Sequence, residues 1–125
     1  MSAATDVVDK LCAAWGNKDL DTILECFTDD AVYINIPMDP PNVGKEMIRT
    51  VIEGFVGMSE SIEFEVHMQG ENADGVVFNV RTDRFVIGDK NLDIRVMGVF
   101  ETRDGLITSW RDYFDLQEFQ SQMGD

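Results

Sequence analysis

The chain has 125 residues, 44% of them apolar, enough for one domain around a hydrophobic core. Its formal net charge of −14 argues against nucleic acid and against an anionic membrane, because both need clustered Lys and Arg. No apolar run nears the length of a membrane span, and the start MSAATDVVDK lacks the pattern of a signal peptide.

Three helical patterns come first. Val7, Val8, Leu11, Cys12 and Trp15 form one stripe that stops at Gly16. Asp19 reads as an N-cap for a second stripe of Leu20, Ile23, Leu24 and Phe27. AVYINIP alternates as a strand, with Tyr33 and Asn35 on one face. A third helix after Gly44 aligns Met47, Ile48, Val51, Ile52 and Phe55 and ends near Gly57. SIEFEVHMQ then places Ile62, Phe64, Val66 and Met68 on one face and Glu63, Glu65, His67 and Gln69 on a wet one. The turn signals ENADG, GDKN and RDG separate three more strands, FNVRTDRFVI, LDIRVMGVFE and LITSWRDYFDL. The order α-α-β-α-β-β-β-β predicts an antiparallel meander of the last four strands. It also predicts an α+β fold in which a curved sheet and three helices enclose a cavity.

Two cysteines, Cys12 and Cys26, and the single His67 make no convincing zinc site. Both thiols read as buried and reduced in a cytoplasmic protein, and no metal or cofactor is expected.

The strand from Phe78 to Ile87 holds Arg81, Asp83 and Arg84 at its centre. Asp112 falls on the apolar face of the last strand, with Trp110 and Phe114. An isolated buried carboxylate costs several kcal/mol, so Asp112 needs a partner or a raised pKa. Arg81 and Asp83 are the candidates, which turns Asn79, Arg81, Asp83, Phe85 and Ile87 inward and Arg84 outward. Periodicity alone fits a structural salt bridge equally well. Two carboxylates around one arginine, however, leave surplus negative charge, so one can keep a proton and the pair can act as acid and base.

Tyr33, Asn35, the RTD at Arg81–Asp83 and GVFETRDGLITSWRDYFDLQEF together resemble the limonene-1,2-epoxide hydrolase family. The likeness runs from the first helix to Phe119 and is strongest from Gly98 onward. It implies a single domain over residues 1–125: the cone-shaped, curved mixed sheet with three packed helices of nuclear-transport-factor-2-like and SnoaL-like proteins. It also implies a homodimer and a small apolar epoxide as substrate. In the implied mechanism Asp112 takes a proton from a water held by Tyr33 and Asn35. Asp83 protonates the epoxide oxygen and Arg81 bridges the carboxylates, in one step without a covalent intermediate.

Met38, Phe55, Phe85 and Ile94, with Met47 and Met97, are candidates for an apolar pocket lining, or else plain core. Trp110 and Phe114 read as core or pocket wall. Arg84, Arg95, Arg111 and His67 receive no catalytic role. Two other functions remain open on the same barrel: a ketosteroid-isomerase-like or polyketide-cyclase-like enzyme, and a non-catalytic ligand-binding module. The α/β-hydrolase route to epoxide opening is set aside, because the chain lacks a nucleophile elbow and a well-placed histidine base.

Overall fold

A computed structural model describes residues 2–38 and 40–124. Helix α1 (Ala3–Gly16) starts at a Ser2 capping box and buries Val7, Val8, Leu11, Cys12 and Trp15. Helix α2 (Leu20–Glu25) is capped by the Asp19 side chain. Phe27, read above as the end of that helix, instead opens strand β1 (Phe27–Asn35). A two-residue strand β2 (Asn42–Val43) precedes helix α3 (Lys45–Met58), which buries Ile48 and Ile52. Strands β3 (Ser61–Glu71), β4 (Val76–Ile87), β5 (Lys90–Arg103) and β6 (Leu106–Tyr113) follow, then helix α4 (Leu116–Met123).

The strands form one mixed sheet in the order β2-β1-β6-β5-β4-β3. The last four make the expected antiparallel meander, and β1 joins β6 in parallel. Helix α1 lies across β3 to β6, and its buried stripe meets Phe27, Phe100, Ile107 and Trp110 in the core.

Two further features depart from the pattern-based expectation. The last strand stops at Tyr113, because Asp115 caps α4 by accepting from the backbone N–H groups of Gln117 and Glu118. Four helices are therefore present among the described residues, not three. Helix α4 covers the part of β5 that β6 leaves unpaired. The N–H of Asp93 donates to Gln122 Oε1 and that of Arg95 to Glu118 Oε1, so an open sheet edge is closed by side chains.

The second departure is a register shift between Val66 and Met68 in β3. An extra residue in a strand reverses the facing of all that follows. Met68 therefore pairs with Val80 on the outer face and is 68% exposed, whereas Gln69 pairs with Asn79 on the inner one. The outward facing of Arg84 is as expected: its guanidinium meets Glu63 and Glu65 at the surface.

Candidate active site

The register of four strands builds the site. Arg81 and Asp83 alternate inward on β4, with Asn79 and Phe85 on the same buried face. Asp112 faces Gly98 across the β5–β6 ladder, and Gly98 faces Asn79 across the β4–β5 ladder. The Arg81 side chain crosses β5 over this glycine. A Cβ at Gly98 would lie 2.5 Å from Arg81 Nη1 and 2.9 Å from Asn79 Oδ1. Glycine leaves room for that crossing, which explains a glycine in the middle of a strand. On the other flank, the parallel β1–β6 register sets Tyr33 beside Trp110 and Asn35 beside Asp112.

Arg81 is wholly buried as a side chain and grips both carboxylates. Nε donates to Asp83 Oδ1 and Nη2 to Asp83 Oδ2, both at 2.9 Å, and Nη2 also donates to Asp112 Oδ2 at 2.8 Å. Nη1 donates to Asn79 Oδ1 at 3.0 Å. Its guanidinium carbon stands 4.9 Å from the centre of the Phe64 ring, which adds a cation–π contact. Asp112 Oδ1 accepts from the indole N–H of Trp110 at 2.6 Å. Trp110 in turn stacks on Tyr33 with 4.2 Å between ring centres. The Tyr33 hydroxyl donates to Asn35 Oδ1 at 3.4 Å.

Burial first, and the charge of Asp112 last, push the Asp83 carboxyl up to about 6, against the pull of Arg81. Burial opposes the Arg81 charge, but Asp112 and then Asp83 outweigh it and hold the guanidinium well above its ordinary value. Burial, seconded by Asp112, raises the Tyr33 phenol, so it remains a hydroxyl donor. Cys12, buried behind the cluster, is pushed up to about 12 by burial and stays a thiol.

The cavity is lined by Tyr33, Asn35, Asp83 and Asp112 on its polar side. Met38, Phe55, Phe85, Ile94 and Phe114 supply apolar wall, as do Trp15, Phe64, Val96 and Phe119, which sequence reasoning did not single out as lining. Three candidates for the lining fall outside it. Trp110, read as core or pocket wall, is core: it is fully buried and packs behind the lining residues Tyr33 and Asp112. Met47 and Met97 are half exposed and point away, since α3 turns its Ile48–Ile52 stripe inward and Met97 lies on the outer sheet face. Gly98 and Asn79 were missed as site residues, although a mid-strand glycine was a signal in plain view. Trp15 Nε1 is the one buried side-chain nitrogen or oxygen without a partner among the described residues. No group of three or more His, Cys, Asp or Glu among those residues is arranged to hold a metal. No helix among them is long and apolar enough to cross a membrane.

Solved structures place the fold. A nuclear-transport-factor-2-like protein of Burkholderia pseudomallei superposes with a TM-score of 0.87 at 14% identity, over 100% of both chains. The fold is thus the nuclear-transport-factor-2-like class of α+β proteins, a curved mixed sheet wrapped on helices. Within it, an LEH-like epoxide hydrolase of Mycobacterium tuberculosis matches with a TM-score of 0.85 at 33% identity, over 97% of this chain and 90% of that one. Epoxide hydrolase EphG of M. tuberculosis is 37% identical over 114 residues, 89% of this chain and 72% of that protein. The family model of the limonene-1,2-epoxide hydrolase catalytic domain matches residues 2–124. The chain belongs to the limonene-1,2-epoxide hydrolase family, and it is a hydrolase of that kind.

Proposed function

We propose that this enzyme adds water to a small apolar epoxide in one step, giving a vicinal diol, with Asp112 as base and Asp83 as acid. The observation that carries this reading is the single guanidinium of Arg81 held between two buried carboxylates, one of which has its pKa raised. Asp112 removes a proton from a water positioned by Tyr33 and Asn35, and the water oxygen attacks a ring carbon. The carbon–oxygen bond of the strained ring breaks, and that oxygen takes the proton of Asp83. One carboxylate gains a proton as the other loses one, so the charge around Arg81 stays constant through the step. Burial of the cluster thereby avoids a change in net charge inside a dry site. Each proton transfer contributes typically ~10²–10⁴-fold. The apolar wall of Phe55, Phe64, Phe85 and Ile94 suits a hydrocarbon epoxide. A guanidinium gripping both carboxylates favours hydrolysis over ketosteroid-type isomerisation, which has no use for it.

The test is diol formation from a panel of cyclic and long-chain epoxides, including a single turnover in heavy-oxygen water. Direct attack puts heavy oxygen in the first diol formed; an ester intermediate on Asp83 or Asp112 would deliver light oxygen from the carboxylate and sink the one-step mechanism.

The 125 residues act as one catalytic domain in this reading, in the cytoplasm, where the two free, buried cysteines stay reduced. The enzyme works as a homodimer joined through the outer sheet face. Met68, Val80, Met97 and Tyr113 pair across four adjacent strands and are 68%, 36%, 47% and 44% exposed, an apolar row that water disfavours. Sedimentation of Met97→Glu should yield a monomer; a wild-type monomer would remove the dimer from the reading.

A further inference from the structure

We infer that Asn79, Gln69 and Asp9 are positioning residues, a directed hydrogen-bond relay that holds the Arg81 guanidinium from the side away from the carboxylates. The inference rests on the acid–base reading above only for what the relay serves; the relay itself is a matter of geometry. Arg81 Nη1 donates to Asn79 Oδ1 at 3.0 Å, Asn79 Nδ2 to Gln69 Oε1 at 3.1 Å, and Gln69 Nε2 to Asp9 Oδ1 at 2.9 Å. The three bonds link β4, β3 and the exposed face of α1.

The direction of this chain is fixed from both ends. A guanidinium only donates, so Asn79 must present its oxygen; a carboxylate only accepts, so Gln69 must present its nitrogen. Both amides are therefore locked against flipping, with their carbonyl ends toward the buried cation and the Asp9 anion at the far terminus. Aligned amides polarise one another, which strengthens each bond.

Two other features serve the relay. The β3 register shift brings Gln69, rather than Met68, to the inner face opposite Asn79. Gly98 leaves the space in which Arg81 Nη1 and Asn79 Oδ1 meet. A guanidinium held only by its two carboxylates could pivot about them. The relay removes that freedom and so fixes how both carboxylates face the cavity.

A double-mutant cycle tests the inference, with Asp9→Ala at the surface and Asn79→Ala inside. Asn79→Ala should lower kcat by about 2- to 30-fold with KM little changed, because Asn79 does not line the cavity. Asp9→Ala should lower kcat less, and the double variant should match Asn79→Ala alone, since a relay is cut only once. Multiplying effects overturn the relay. An arm that needs no substrate follows the Arg81 Nε–H and the Asn79 and Gln69 side-chain amides by nitrogen-15 NMR, with Gln69→Ala as a further variant. Asp9→Ala should move the Arg81 signal, and an unmoved signal overturns the inference. Wild-type protein inactive on every epoxide, or an Asp83→Asn protein that still turns over, overturns the acid–base reading and leaves the NMR outcome to judge the relay.

Discussion

Asp83 and Asp112 share one nitrogen: Arg81 Nη2 donates to Asp83 Oδ2 at 2.9 Å and to Asp112 Oδ2 at 2.8 Å. Burial first, and the neighbouring Asp112 charge last, raise the Asp83 carboxyl. The contacts of the two groups differ: Asp83 takes two bonds from Arg81, whereas Asp112 takes one from Arg81 and one from Trp110. The Arg81 bonds pull the Asp83 carboxyl down, and burial outweighs them.

Removing either proposed proton-transfer group should slow the chemistry sharply while leaving the fold. Asp83→Asn and Asp112→Asn keep the shape of the side chain and lose the proton function. Each should lower kcat by roughly 10²–10⁴-fold. Diol production assayed beside a thermal melt checks this, and near-normal turnover in either folded variant would refute the assignment.

The pH profile has a definite sign. As the proposed acid, Asp83 must be protonated to donate, and burial pushes its carboxyl up to about 6. kcat/KM should therefore fall as pH rises through that value, because this ratio reports the free enzyme. A profile flat from mild acid to neutrality would assign the proton to another group.

Gly98→Ala should damage both stability and activity. Its Cβ would sit 2.5 Å from Arg81 Nη1, too close to be tolerated without displacing the guanidinium. Overpacking of this kind costs about 1–3 kcal/mol, measurable by urea unfolding. The kcat should fall with it. A fully active, fully stable Gly98→Ala protein would mean that Arg81 has room the structure denies it.

Trp110→Phe keeps an aromatic ring against Tyr33 and deletes the donor to Asp112. With Asp112 as the proposed carboxylate base, losing a hydrogen bond to it costs about 1.5–3 kcal/mol. The loss should appear in kcat more than in KM, because Trp110 does not line the cavity. An equal rise in KM with kcat intact would instead make Trp110 a substrate contact.

Much of the fold was legible because its signals are periodic. The stripes of α1 and α3, the Asp19 cap and the four-strand meander all follow from spacing and turn residues. The inward face of β4 was legible for a different reason: Arg81 and Asp83 on one side and Asp112 on another strand make sense only together. The failures have separate physical causes. Val66 to Met68 keeps perfect alternation in sequence, and nothing in the residue types betrays the shift that turns Met68 outward. Trp110 could be read as core or as wall because an indole is apolar by area, while its single N–H decides where it matters. The cap at Asp115, three residues before Glu118, was visible but was overrun by the apolar alternation of the strand before it.

The stacked aromatic cluster has an optical consequence. The chain contains two tryptophans, Trp15 and Trp110. One lines the cavity and the other bonds to Asp112, with Tyr33 stacked against it. All of the indole emission of the molecule therefore originates within the site. An unlabelled sample should report occupancy of the cavity by the colour and intensity of its own emission.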